Sequence, residues 1–256
     1  MMGFGVLLYK ELIEQFRTKR LVSVAAVFVF FGILAPVTDR YMKELIDAIG
    51  SRSGGFTIEV PPYSLQGAMG QIIKNLSEFG IICALLLTMG AVAWEKERGT
   101  AGMILTKPAS RAAFLAAKLV AISVSLGVAV VLGCGLGYVY TLLLYPTIFP
   151  LGGYIAMAAI LWWTMVVFVA IVLFASTVFR SAVAAAGFGF VAFLVLGLVV
   201  AFPIVGPWSP LGLLGPAQDL ALGHDAGDFL WPLAFNVAAV PALFAATWLA
   251  FRRQEL

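Results

Sequence analysis

The chain has 256 residues, of which 62% are hydrophobic and 11% are charged, and its formal net charge is +3. Its mean hydropathy of +1.03 lies well above that of water-soluble domains. The composition therefore excludes a soluble globular enzyme and predicts an integral membrane protein. Most of the basic residues fall on the predicted cytoplasmic side of the membrane. Membrane topology therefore accounts for them, which argues against nucleic-acid binding.

Residues 1–20 are predicted to hold a helix that lies in the membrane surface. The apolar side chains of this segment fall on one side of the helix: Leu8, Leu12 and Phe16, with Tyr9 and Ile13 beside them. The charged side chains recur at helical spacing on another side: Lys10, Glu14 and Arg17. A cytoplasmic extension of the first membrane span is the alternative for this segment.

Six stretches are apolar and long enough to cross a hydrocarbon core, which takes about 20 residues of helix. They are residues 21–38, 76–94, 114–145, 152–178, 182–205 and 229–251. The predicted fold is an all-α integral membrane protein, with one transmembrane domain over 1–256. Glu78 and Lys118 fall near the ends of these spans, so the central portions are predicted to hold no ionisable group.

The distribution of basic residues predicts the orientation. With the N-terminus inside, 12 of the 16 Lys and Arg residues are cytoplasmic, so the positive-inside rule places both termini in the cytoplasm of a plasma (inner) membrane protein. Residues 39–75 then form an external loop. Residues 206–228, rich in Pro, are predicted to form an external re-entrant segment buried against protein, with a simple loop as the alternative.

A charged segment, residues 95–113, separates spans two and three and is predicted to be cytoplasmic. Thr100 is suited to cap a short helix over 101–106, which Pro108 ends, and Ser110 is suited to cap the third span. The resulting elbow offers three apolar side chains for burial, Met103, Ile104 and Leu105. Four charged side chains are available for ion pairs with a partner: Glu95, Glu97, Arg98 and Arg111. A solvated turn that only fixes topology is the alternative.

The motifs of several enzyme classes are missing from the sequence. No Gly-Lys pair occurs, so there is no phosphate-binding loop for ATP. Neither GxSxG nor HExxH is present, and His224 is the only histidine, which argues against hydrolase and metal sites. The chain is predicted to be no enzyme and to hold no cofactor or metal of its own.

Gly133 and Gly137 of the third span have the GxxxG spacing that permits two helices to approach closely. Packing within one subunit and a seam between two copies both explain this spacing.

The charged segment and the residues that follow it resemble the signature of permease subunits of ATP-binding-cassette exporters of the second class (ABC type 2). The matching residues are Glu95, Glu97, Arg98, Gly99, Thr100, Leu105, Pro108, Ser110, Arg111, Phe114 and Lys118. The chain departs from the signature at Gly102, where members often have an acidic residue, and at Ala117, where they often have Gly.

The resemblance implies a permease subunit of an ATP-driven exporter, in which residues 95–111 form a coupling helix that docks into a separate ABC ATPase. ATP and magnesium would bind to that ATPase. The pathway would lie between two copies of this chain or between this chain and a sister permease, and membrane lipid is the other expected partner. The apolar spans favour a lipid-like or amphipathic cargo. A non-transporting scaffold or sensor docked to an ATPase is the alternative function.

Overall fold

The computed structural model describes residues 4–50, 62–97, 110–146 and 149–253. Nine α-helices follow one another in these ranges: α1 (Phe4–Arg17), α2 (Arg20–Gly50), α3 (Leu65–Thr88), α4 (Ala93–Glu97), α5 (Arg111–Leu144), α6 (Leu151–Val178), α7 (Ala182–Val199), α8 (Leu214–Leu222) and α9 (Leu230–Arg252). Two 3-10 turns, Gly206–Trp208 and Pro210–Leu213, precede α8.

Six helical stretches of the described chain are long and apolar enough to cross a membrane: Arg20–Met42, Leu65–Glu97, Arg111–Leu144, Leu151–Val178, Ala182–Val199 and Leu230–Arg252. The prediction of an all-α protein with six spans is therefore confirmed. The span ends differ, because α2 continues to Gly50 and α3 already begins at Leu65. Much of the connection predicted as a loop over 39–75 is thus helical. Hydropathy identifies only the apolar part of a helix that crosses the hydrocarbon core, and not its more polar ends.

The start of α3 is fixed by polar contacts at the end of the bundle remote from the termini. The Ser64 hydroxyl accepts a hydrogen bond from the Gly67 N–H at 2.9 Å, as expected of an N-cap. The Ser64 N–H donates to the Asp39 carboxylate at 3.2 Å, and the Tyr145 hydroxyl donates to the same carboxylate. Asp39 therefore joins α2 to the beginning of α3 and the end of α5.

Helix α1 is separate from the first span. The chain turns at Thr18 and Lys19, and Lys19 has a φ of 57°, in the left-handed region that interrupts a right-handed helix. This break rules out the alternative of a simple extension of α2. The large apolar side chains that α1 leaves exposed are Phe4, Val6, Tyr9, Ile13 and Phe16.

The side of α1 that faces the protein carries polar side chains as well as an apolar one. Leu7 and Gln15 are buried, and the Glu11 side chain is only 12% exposed, whereas Phe16 is 63% exposed. The charge of Glu11 interrupts the apolar pattern in sequence, but it points towards α5, where it has a partner.

The core lies between α2, α3, α5 and α6 and is filled by large apolar side chains, among them Phe28, Met69, Leu126, Leu161 and Met165. Helices α2 and α5 touch through their backbones, since a Cβ atom on Gly133 would lie 2.7 Å from the Phe28 carbonyl oxygen. Gly133 and Gly137 therefore permit close packing of helices within one chain. Of the two explanations for their GxxxG spacing, the structure supports packing within one subunit.

The described segment 206–228 is packed against the bundle. Leu213, Ala217 and Ala221 are buried, and α8 lies along α6. The Thr164 hydroxyl of α6 donates to the Pro210 carbonyl at 3.2 Å, and the Ser209 hydroxyl donates to the Leu196 carbonyl of α7 at 3.1 Å. The expected burial of this broken, proline-rich segment against protein is thus observed, since these contacts satisfy backbone groups that lipid could not.

Candidate functional site

Four charged side chains from three helices meet where α1, α4 and α5 come together, and they are called the ionic cluster here: Lys10, Glu11, Glu95 and Lys118. The Lys118 side chain is 4% exposed. Its Nζ lies 2.8 Å from Glu95 Oε1 and 3.1 Å from Glu11 Oε1. A buried ammonium group is stable only when it is paired in this way, so Lys118 links α1 and α4 to the third span.

The third side of the Lys118 ammonium group is apolar. Its Nζ lies 4.9 Å from the centre of the Phe114 ring, one turn earlier on α5. An ammonium group has three donors, and two carboxylates and an aromatic face together surround it. Lys118 is thus held in one place rather than free to reach the membrane interface, as its sequence position suggested.

Lys10 supplies the second positive charge of the ionic cluster. Its Nζ lies 3.3 Å from Glu11 Oε1 and 3.8 Å from both Glu14 Oε2 and Glu95 Oε1. Partial burial opposes the charge, but the carboxylates of Glu11, Glu95 and Glu14 outweigh it and raise the pKa of Lys10 above its ordinary value of 10.5. The charge therefore stabilises the fold below that pH, and this contribution is lost only as the pH rises through the raised pKa.

A buried serine holds the break between α3 and α4. The Ser176 hydroxyl of α6 accepts hydrogen bonds from the N–H groups of Val92 and Ala93, both at 3.1 Å, and donates to the Met89 carbonyl at 2.8 Å. The Lys96 ammonium group donates to the carbonyl of the neighbouring Thr177. Helix α4, which carries Glu95 and Glu97, is therefore fixed to α6 as well as to the ionic cluster.

The other end of the charged segment is fixed to the last span. Ser110 accepts a hydrogen bond from the Ala113 N–H at 3.1 Å, which confirms its predicted role as the cap of α5. Arg111 Nη1 lies 3.0 Å from the carbonyl oxygens of Phe251 and Arg252 at the end of α9. A guanidinium group is favourable at a helix C-terminus, where the last carbonyls lack intrahelical donors.

The predicted site residues thus fall into separate groups. Glu95, Lys10 and Glu14 lie at the ionic cluster, whereas Arg111 lies at the end of α9 and Arg17 is exposed. Glu97 is exposed at the end of α4. The remaining predictions lie outside the described residues: Arg98, Gly99, Thr100, Met103 and the short helix over 101–106.

Glu11 and Ser176 were missed as site residues by the sequence analysis. The signal for Glu11 was a charge on the apolar side of an amphipathic helix, and the signal for its partner was a lysine inside a predicted span. Each such charge needs a partner when it is buried. Ser176 gives no signal, because its role depends on where the chain breaks in another helix.

Residues 6–211 match the family model described as ABC-2 family transporter protein. The chain belongs to the ABC-2 transporter family. The matched range includes the ionic cluster, Ser176 and Arg111, and it extends to the second 3-10 turn. The resemblance found in the charged segment is thus confirmed, and this ABC-2 protein is a multi-pass membrane permease.

The ABC-2 chain is also similar to the transmembrane protein YxlG of Bacillus subtilis (strain 168), which is described as uncharacterized. The two sequences are 28% identical over 252 residues, which is 97% of each chain. The likeness therefore extends through α9, beyond the range of the family match.

Proposed function

We propose that this ABC-2 permease is the membrane part of an ATP-driven exporter, and that a separate ABC ATPase docks on residues 95–111. The observation that carries this proposal is the attachment of both ends of the segment to the bundle. Glu95 and Lys96 connect its beginning to α1, α5 and α6, and Arg111 connects its end to α9. A displacement of the segment would therefore move these helices together, as a rigid-body switch requires.

The energy for such a movement comes from the partner. This chain carries no phosphate-binding loop, so ATP and magnesium would bind to the ATPase. Glu97, within the segment, is exposed at the end of α4, where it is accessible to a docking protein. The ionic cluster then transmits the force inwards, because its charges are paired with each other.

The exposed face of α3 supports assembly of two permeases. Polar side chains follow one another on the outward side of this helix at spacings of three or four residues: Gln71, Lys74, Asn75 and Glu78. Ile82 and Leu86 continue the same side and are 42% and 56% exposed. A spanning helix that turns polar groups away from its own subunit is suited to face a second permease or water between the two.

Glu78 lies beside the middle of the apolar stretch of α2. The adjacent Phe79 stacks on Phe31 of α2, with 3.7 Å between the ring centres. Phe31 lies eleven residues from Arg20 and nine from Arg40, or about 16 and 14 Å along a helix. An outward carboxylate at such a level would be unfavourable against lipid, which supports a second permease or water beside this side of α3.

Cross-linking of α3 tests the permease pair. In a chain with Cys83 and Cys134 replaced, Ile82→Cys is expected to link two copies, because this position lies on the exposed side of α3. The matched control is Val131→Cys, which is 70% exposed on α5. Val131 lies at a similar depth, since Gly80 of α3 and Gly133 of α5 both border Phe28. Equal cross-linking at both positions, or none at position 82, would contradict this arrangement.

Charge reversal in the segment tests the docking of the ATPase. We expect the double variant Glu97→Lys with Arg98→Glu to lose the ATPase on co-purification by more than tenfold while the permease still inserts into the membrane. Loss of one side of an interfacial charge pair costs about 2–5 kcal/mol. The control is Asp225→Lys, which alters an exposed charge far from the segment.

The same preparation separates transport from the alternative of a docked scaffold or sensor. An exporter shows ATP hydrolysis that rises with cargo and falls in the charge-reversed variant. A scaffold retains the ATPase without hydrolysis-linked movement of substrate into sealed vesicles. Co-purification and hydrolysis at wild-type levels in the reversed variant would contradict the proposed role of residues 95–111.

A further inference from the structure

A groove of about 580 Å³ lies between α6, α7 and α9, beside the two 3-10 turns. Its walls are apolar and include Val167, Ile171, Leu196 and Leu243. The α9 side of the groove includes three alanines, among them Ala239, which leave space where larger side chains would fill it. The volume lies within the roughly 300–1,000 Å³ of small-molecule sites.

Asn236 is the one amide side chain of this wall, and it is only 1% exposed. Its Nδ2 donates to the carbonyl oxygens of Trp208 at 3.1 Å and Pro232 at 2.9 Å. These two bonds use both hydrogens of the amide, and within the described chain no group donates to Oδ1. An amide oxygen on a largely buried side chain gains from a donor, so Oδ1 is the acceptor that this wall offers to a ligand in the groove.

The position of Asn236 sets its depth. It lies six residues after Leu230, the first residue of α9, which is about 9 Å along the helix. Trp208 and Trp231, 42% and 70% exposed, mark the membrane interface at this end of the bundle. The groove therefore opens within one leaflet, and Oδ1 lies a short distance below the level of the lipid headgroups.

We propose that this groove binds a neutral lipid alcohol, whose hydrocarbon chain fills the apolar space and whose hydroxyl donates to Asn236 Oδ1. The lining holds no Lys or Arg, so it offers nothing to a phosphate group. A charged headgroup would also have to leave water to reach this depth, whereas a single hydroxyl next to the chain would not. This site is independent of the ATPase-coupling role of residues 95–111.

The bound lipid would also join three parts of the fold. Asn236 connects α9 to the turn at Trp208, and the same groove is bordered by α7, which has little burial of its own in this bundle. A chain held in the groove contacts all three, so occupancy stabilises their packing and raises the unfolding temperature.

The test uses the full chain in nanodiscs of phosphatidylcholine, whose headgroup has no hydrogen-bond donor. The probes are oleyl alcohol and oleyl methyl ether, which share one hydrocarbon chain and differ in the hydroxyl donor. We expect the alcohol to raise the thermal unfolding midpoint and to bind about tenfold more tightly than the ether, which is the effect of one hydrogen bond of roughly 1.4 kcal/mol.

Two variants and a control decide the assignment. Asn236→Leu is expected to bind the alcohol and the ether equally, and Asn75→Leu, an amide on the outward side of α3, is expected to keep the preference. Ala239→Leu leaves the amide intact but fills the groove, so both probes should bind more weakly. Equal binding of the two probes to the wild type, an alcohol preference that survives Asn236→Leu, or a second copy cross-linked across the groove would each overturn the proposal.

Discussion

Lys118 shows how one buried charge organises this permease. It is the buried cation of the ionic cluster, with Nζ 2.8 Å from Glu95 and 3.1 Å from Glu11. Removing it would leave these two carboxylates with the longer, half-exposed contacts to Lys10, at 3.8 and 3.3 Å. Loss of one partner from a buried ion pair costs about 3–5 kcal/mol, which is far more than the loss of an exposed pair.

We therefore predict that Lys118→Met lowers stability strongly, and that Lys10→Met, at a position that is 46% exposed, lowers it little. The measurement is the folded fraction after heating in detergent, read by size-exclusion chromatography. The double variant Lys118→Met with Glu95→Gln should recover part of the loss, because it removes an uncompensated carboxylate. A Lys118→Met protein as stable as the wild type would show that the cluster is not a structural link.

The residue pairs of this site could be predicted only in part. The sequence marks charges that need partners, because few charged residues occur in this chain and each one buried is costly. It does not reveal which charges meet: Lys118 and Glu11 are 107 positions apart, and their contact depends on how α1 folds back against α5. Glu95 was identified as part of the charged segment and again in the family signature, and its partners came from the structure.

The break between α3 and α4 is the element on which the position of Glu95 and Glu97 depends. Ser176→Ala would leave the N–H groups of Val92 and Ala93 without their acceptor, in a place where Ser176 itself is fully buried. Such unsatisfied groups cost about 1–3 kcal/mol. We predict lower thermal stability together with weaker cargo-stimulated ATP hydrolysis in the assembled complex.

The control for this variant is Ser125→Ala. Ser125 is equally buried, but its hydroxyl donates only to the Ala121 carbonyl of its own helix at 3.0 Å. That bond does not connect two helices. Its loss should therefore lower stability by only a few tenths of the amount expected for Ser176→Ala. Equal effects of the two serine variants would count against a special role for the break.

The close contact between α2 and α5 leads to a second prediction, which concerns the packing of these two helices. Gly133→Ala would place a Cβ atom 2.7 Å from the Phe28 carbonyl oxygen and force the two backbones apart, at about 1–3 kcal/mol. The neighbouring Gly135→Ala has nothing within 4 Å of its added methyl group and should leave stability unchanged. Thermal unfolding of the two variants, measured side by side, checks the difference.

The six spans were predictable because the bilayer imposes one requirement, a long apolar helix, and hydropathy measures it directly. The continuation of α2 to Gly50 and the start of α3 at Leu65 were not, because these turns have a mixed composition that is also typical of loops. Packing against α2 and the Ser64 cap extend the helix where propensity alone gives no preference.

The orientation of the whole molecule is tested by labelling. In a chain without native cysteines, Lys107→Cys should react only from the cytoplasm and Gly55→Cys only from outside, because the positive-inside rule predicts that 12 of the 16 Lys and Arg residues are cytoplasmic. A membrane-impermeant maleimide applied to intact cells and to inverted vesicles makes the comparison. Reversed labelling would contradict the predicted orientation and the proposed cytoplasmic docking of an ATPase.

The long sequence separation within the ionic cluster has a consequence for biosynthesis. Glu11 leaves the ribosome 107 residues before Lys118, which is about 5–20 s of translation at the usual rate of about 5–20 residues per second. During that interval α1 has no lysine from the third span to compensate its inward carboxylate. Docking of the first helix must therefore wait for the third span, so the newborn chain completes the ionic cluster only after half of the bundle is in the membrane.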